Sequence, residues 1–127
     1  MGKQTLFAYV DGTQHDDDVV AAVEARLDAL VASRKWISND VWVVNQREPP
    51  AWDLGLNLAL GAPRSRPARW VDDVVAIASE LAALHRQTHR AFVIGIHDDQ
   101  SDTTKDLFVV DSAAPDLDKL RAALTAK

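Results

Sequence analysis

Cysteine is absent from these 127 residues. With it go disulfides, thiolate metal sites and any cysteine nucleophile. Long apolar runs are missing as well; none approaches the roughly 18 residues that a membrane span requires. The opening MGKQTLFAYVDG lacks the longer apolar core and small-residue cleavage site of a secretory signal. Gly2 follows Met1, but Leu6 stands where a myristoylation pattern needs Ser or Thr. A cytoplasmic location with no membrane partner is the resulting expectation. Glycine is scarce, at five residues, and neither G-x-x-x-x-G-K-[ST] nor G-x-G-x-x-G occurs among them. No G-x-S-x-G marks a strained nucleophilic serine. Positive charge is in deficit: 14 Lys and Arg against 19 Asp and Glu leave a net charge of −5. Such a field opposes a polyanion and favours a basic partner, so nucleic acid is not expected.

What is present fits an ordinary globular domain. Hydrophobic residues make up 47% and charged residues 26%, which argues against long disorder. The length suits one domain over residues 1–127. Thr5–Val10 (TLFAYV) reads as a strand ended by the turn dipeptide Asp11-Gly12. Asp16–Arg34 follows as a helix, with Val20, Val23, Leu27, Leu30 and Val31 on one stripe. Aspartates open it, and Arg34 with Lys35 close it, as the helix dipole favours. Val41–Asn45 (VWVVN) is a second strand, broken by Pro49-Pro50. In DLGLNLALG, Leu54, Leu56, Leu58 and Leu60 alternate with smaller residues, the period of a strand with one buried face. That pairs it with the second strand as a hairpin across the EPPAW loop. After the Pro/Arg loop APRSRPAR, a helix is predicted from about Trp70 to Thr88. Its apolar face holds Val71, Val74, Val75, Ala78, Leu81 and Leu84. AFVIGI and LFVV then form a hairpin across a polar loop, and Pro115 starts a short helix with Leu117, Leu120 and Leu124. The predicted order is β-α-β-β-α-β-β-α. The expected fold is α+β: a single mixed β-sheet of about five strands, two long helices packed on it and a short C-terminal helix.

Two segments place a histidine beside aspartates just after a strand: His15 with Asp16, Asp17 and Asp18, and His97 with Asp98, Asp99 and Asp102. Two histidines and a carboxylate are a reasonable zinc or iron set. They meet only if the first and fourth strands are adjacent and parallel. Taken locally, the first aspartates complement a helix N-terminus and the second fill a hairpin loop, so no metal and no cofactor are predicted. The loop DDQSDTTKD fails as an EF-hand, with Thr103 in the glycine position and Val109 in the glutamate position. HRQTH carries His85 and His89 at helical spacing, but Arg86 occupies the glutamate position of a zincin motif. Arg64, Arg66 and Arg69 lie in a solvated loop. Among four tryptophans, Trp36 and Trp70 are expected to pack at helix ends and Trp42 in the core. Trp52 falls in a stiff loop after two prolines, where an exposed indole serves as a binding anchor.

Three function classes compete. The first is a non-catalytic binding protein with an acidic surface, such as a bacterial immunity or antitoxin-type protein neutralising a basic toxin. Its contacts would come from Asp16, Asp17, Asp18, Trp52, Asp98, Asp99 and Asp102, with no catalytic residue. The second is a small metal-dependent enzyme using the His15 and His97 segments. The third is a homo-oligomer subunit with strand 54–60 as an exposed edge. The first is favoured because no catalytic motif is found.

Overall fold

The computed structural model describes residues 3–37, 40–62, 66–112 and 114–125. Eight elements run in the expected order: β1 (Gln4–Val10), α1 (Asp17–Ser33), β2 (Val41–Glu48), β3 (Ala51–Gly61), α2 (Trp70–Thr88), β4 (Phe92–Asp98), β5 (Thr103–Val110) and α3 (Leu117–Thr125). The strands form one five-stranded sheet in the order β2-β3-β1-β4-β5. Every neighbouring pair is antiparallel, where a mixed sheet was expected. The first six elements trace a split β-α-β pattern, in which β1 slots between β3 and β4. The β5–α3 unit is appended at one side.

The β2–β3 hairpin is longer than its apolar residues alone imply. Pairing continues through Gln46, Arg47 and Glu48, and the turn shrinks to Pro49-Pro50, joined by a cis peptide bond. Trp52 is therefore a strand residue paired with Arg47, not a loop residue.

One face of the sheet carries the core. Leu6, Ala8 and Val10 of β1, the four alternating leucines of β3, and Phe92 and Ile94 of β4 are all buried. Against them pack Val19, Val23 and Leu27 of α1, Val74, Ile77, Ala78, Leu81 and Leu84 of α2, and Leu120 and Leu124 of α3. All three helices thus share one face of the sheet. Strand 54–60 is internal, between β2 and β1, with its leucines buried, so it is not the exposed edge that the self-assembly class needs. The true edges, β2 and β5, show exposed polar stretches at Asn45–Glu48 and Thr103–Asp106, a pattern that discourages edge-to-edge pairing.

A buried carboxylate fixes how α1 leads into β2. Asp73, fully buried in the first turn of α2, accepts from Arg34 Nε at 3.3 Å and Nη2 at 3.1 Å. It also accepts from the backbone N–H of Ile37 at 3.1 Å. Arg34 is the residue after α1, whose last turn holds no basic side chain. Its charge therefore serves α2 through Asp73, where dipole complementation of α1 was expected. No helix among the described residues is long and apolar enough to cross a membrane.

Candidate binding face

No helix among the described residues covers the other face of the sheet. Strand alternation puts one side chain in two on it, and the register arranges these in rows across the strands. One row runs Val44, Gly55, Tyr9, Val93 and Val109. The next runs Trp42, Asn57, Phe7, Gly95 and Asp106. A third holds Ala59, Thr5, His97 and Thr104. A solvated sheet face normally alternates to polar residues. Here the central rows are aromatic, β-branched or glycine at every position but Asn57 and Asp106.

Two glycines let the aromatic rings lie down. A Cβ at Gly95 would sit 2.4 Å from Phe7 Cζ, so the Phe7 ring covers the Gly95 backbone. A Cβ at Gly55 would meet the Ala8 carbonyl oxygen at 1.9 Å, so only glycine permits this approach of β3 to β1. The Phe7 and Tyr9 rings stand 5.1 Å apart, and Tyr9 Oη donates to Asn57 Oδ1 at 2.6 Å. Burial of the Tyr9 hydroxyl, with the negative charge of Asp53 adding to it, raises its pKa above 10.0, against the Asn57 bond, which lowers it. Trp42 is 42% exposed and Val109 47% exposed, among the largest exposed apolar side chains of the described residues. Trp42 was expected in the core. Its neighbours Val41 and Val43 pack toward the core, and alternation leaves the indole on the open side. A shallow depression of about 220 Å³ lies among Thr5, Phe7, Tyr9, Trp42, Asn57 and His97.

The two histidine–aspartate segments fall at opposite ends of the sheet. β1 and β4 are adjacent, but antiparallel: Thr5 partners His97, while Val10 partners Phe92. The run of β1 from Thr5 to Val10, about 17 Å at the usual rise, separates His97 from the loop that carries His15. The shared metal site of the enzyme class therefore has no geometric basis. Among the described residues, no group of three or more His, Asp or Glu side chains is placed to hold a metal ion.

At one end, His15 is buried, 7% exposed. Its Nε2 faces the Trp52 carbonyl oxygen at 3.2 Å, and a carbonyl only accepts, so Nε2 carries the proton. Nδ1 is then free to accept from Arg90 Nη2 at 3.2 Å. Arg90 Nη2 also donates to the Asp11 carbonyl at 2.7 Å. Burial and then the nearby Arg90 charge hold the His15 pKa below 6.5, against the partial support of the backbone bonds. The Trp52 ring lies 4.9 Å from His15, under the Arg47 guanidinium at 4.7 Å, with Nε1 donating to Asn45 Oδ1 at 2.8 Å. Trp52 is half-buried and held on every side, and so makes a poor free anchor. Asp16 precedes α1 without a side-chain capping bond, and Asp17 and Asp18 stand exposed in its first turn.

At the other end, Asp98 accepts from Gln4 Nε2 at 2.9 Å and from the backbone N–H of Gln100 and Ser101. The Gln4 bond, first among these, lowers its pKa below 3.8. Its role is to shape the β4–β5 turn. Asp99 and Asp102 are exposed and flank His97, with carboxylate oxygens 3.8 Å and 3.5 Å from Nε2. His97 Nδ1 is 2.8 Å from Thr104 Oγ1. Of the aspartates singled out in the sequence, Asp99 and Asp102 border the open face; Asp16, Asp17 and Asp18 do not.

The remaining candidates are accounted for locally. Arg64 lies outside the described residues. Arg66 stacks over Trp70 at 4.8 Å and donates to Gln4, while Arg69 pairs with Asp72 at 2.7 Å. His85 Nδ1 faces the Arg90 carbonyl at 2.9 Å, and His89 takes the left-handed C-cap of α2 with φ of 59°. The residues that sequence reasoning missed are Phe7, Tyr9, Asn57 and the flanking glycines. A signal existed in the alternation of β1: Thr5, Phe7 and Tyr9 fall on one side, and two of these three are aromatic.

Compared with protein-family models, with curated proteins and with solved structures, the chain matches none, and its function must be argued from the geometry of this face.

Proposed function

We propose that this protein is a non-catalytic binding module that docks a basic protein partner on the open face of its sheet, in the manner of an immunity or antitoxin-type protein. One observation carries the reading: the sheet face that no helix covers is apolar where a solvated face should be polar. Phe7, Tyr9, Trp42, Val44, Val93 and Val109 form its middle. Contiguous exposed apolar surface of this kind marks an interaction site, and aromatic residues are enriched at interface cores.

Charge selects the partner's sign. Asp53, Asp106, Asp99 and Asp102 border the face, and the chain carries a net charge of −5. A second copy docked face to face would bring these carboxylates against their own kind, whereas a basic protein meets them with opposite charge. Trp42 replaces Trp52 as the anchor, because Trp52 is occupied by His15, Arg47 and Asn45.

The experiment compares three immobilised chains against extract of the protein's own cell, at low and high salt. They are the unchanged protein, a face variant (Trp42→Ser with Val109→Thr) and an end variant (Asp17→Asn with Asp18→Asn). The expected result is a basic protein retained at low salt, released at high salt, lost with the face variant and kept with the end variant. Asp99→Asn with Asp102→Asn should weaken retention and flatten its salt dependence. Retention that ignores the face variant overturns the reading. So does a stable dimer in sedimentation that the face variant dissolves.

A further inference from the structure

The open face has a concave spot, and its chemistry is specific. The depression of about 220 Å³ among Thr5, Phe7, Tyr9, Trp42, Asn57 and His97 is smaller than the roughly 300–1,000 Å³ of a small-molecule pocket. It suits a single long side chain. Trp42 stands on β2 and Tyr9 on β1, one row further along, with only β3 between them. Their backbones are therefore about 12 Å apart on the diagonal. The floor of the gap is Asn57 and Gly55, and Gly55 contributes no side chain to fill it. Aromatic walls across an open slot are the setting in which a cation is attracted to ring faces.

Apart from His97, which also lines the depression, the polar groups here favour a positive guest. Asn57 Oδ1 accepts from Tyr9 Oη and keeps a second lone pair for another donor. Asp53, one row beyond Gly55, lies near enough to act on the Tyr9 hydroxyl. Asp40 precedes Trp42 by two residues, on the same side of the strand line, and its carbonyl accepts from Ala59 N–H at 2.8 Å. Among the described residues, no arginine or lysine lines the depression.

We propose that the slot between Trp42 and Tyr9 receives one arginine or lysine side chain of the docked partner. This assignment rests on the docking reading above and names its central contact. The cationic head stacks against the Trp42 indole and donates to Asn57 Oδ1, with the Asp53 carboxylate further along β3 adding a longer-range attraction. An arginine is favoured over a lysine because its planar fork both stacks and donates.

The probe is N-acetyl-Gly-Arg-Gly-amide, titrated into the ¹⁵N-labelled full chain and followed by the indole and side-chain amide signals. Its citrulline and leucine counterparts serve as controls. The arginine peptide should move the Trp42 indole and Asn57 amide signals with saturation in the millimolar range, leaving the Trp36 and Trp70 indoles in place. Citrulline and leucine peptides should bind at least tenfold more weakly. Asp53→Asn, a change at an exposed position, should weaken the arginine peptide several-fold, and Trp42→Ala should abolish its effect. Equal shifts from citrulline or leucine, or shifts centred elsewhere, overturn the assignment. If a basic partner is lost with the Trp42 and Val109 face variant but the arginine peptide leaves Trp42 unmoved, the docking face stands and the slot assignment falls. If the peptide saturates the slot while no partner depends on the face, the slot stands and the docking reading falls.

Discussion

His15 shows how one side chain's protonation is tied to its neighbours. The neutral ring, with its proton on Nε2, satisfies both the Trp52 carbonyl and Arg90. A second proton on Nδ1 would point at a guanidinium. The pKa in the folded chain is held below 6.5, chiefly by burial and then by Arg90, with Asp11 contributing only its carbonyl at this cluster. The unfolded chain therefore binds more protons than the folded one once pH falls below about 6.5, and stability must drop over that range. Urea midpoints measured from pH 7 down to 5 should fall for the unchanged protein and fall less for His15→Gln. A parallel decline in both would remove His15 as the cause. Tyr9 offers a second test. It is the one tyrosine in the chain, so tyrosinate absorbance reports it alone. Its midpoint should lie above 10.0, and Asp53→Asn should lower it by removing the negative charge that adds to the effect of burial.

Elements are joined here by single residues that satisfy two partners at once. Asp73 holds the end of α1, the segment before β2 and the start of α2 together. Its carboxylate is fully buried while Arg34 keeps a 29% exposed side chain, so removing Asp73 frees an arginine that reaches water. Asp73→Ala should cost about 2–4 kcal/mol, below or within the range for breaking a fully buried pair. Chemical denaturation with an unchanged m-value would check it; a loss under about 1 kcal/mol would show that the bonds are dispensable. In the sheet, Gly95 has the corresponding role for Phe7. Gly95→Val puts a branched side chain into the Phe7 ring and within reach of the Lys105 carbonyl. Overpacking of this type costs about 1–3 kcal/mol, and it should also move the Phe7 and Tyr9 ring signals. Stability and ring signals both unchanged would mean that the ring does not lie on the glycine.

The described residues form two layers, with three helices on one face of the sheet and none on the other. The core is complete without the open face, since the buried hydrophobic side chains of β1, β3 and β4 all point toward the helices. Replacing Trp42 with Ser and Val109 with Thr should therefore change stability by about 1 kcal/mol or less, the scale of surface substitutions. A thermal melt shifted by only a few degrees, together with lost partner retention, would separate binding from folding. A collapse of the melt would mean that the face contributes to the fold itself.

The element order, the helical stripes and the buried leucines of β3 were all legible in the chain, because alternation and helical period are local properties. The burial of Asp73 was legible in principle: it falls on the stripe of Ile77, Leu81 and Leu84. Trp42 and Trp52 exchanged roles for a reason sequence cannot supply. Pairing of Gln46–Glu48 drew Trp52 into a strand, and the parity of β2 turned Trp42 outward. The aspartates were visible, but their grouping was not, since it depends on β1 and β4 running antiparallel and so sending His15 and His97 to opposite ends. Local periodicity determined which residues form each element and which side of it is apolar. Only the tertiary structure decided that the helices gather on one side, because strand order and layering are set by contacts between segments distant in sequence. That decision left Phe7, Tyr9 and Trp42 together on the side that none of the three described helices covers.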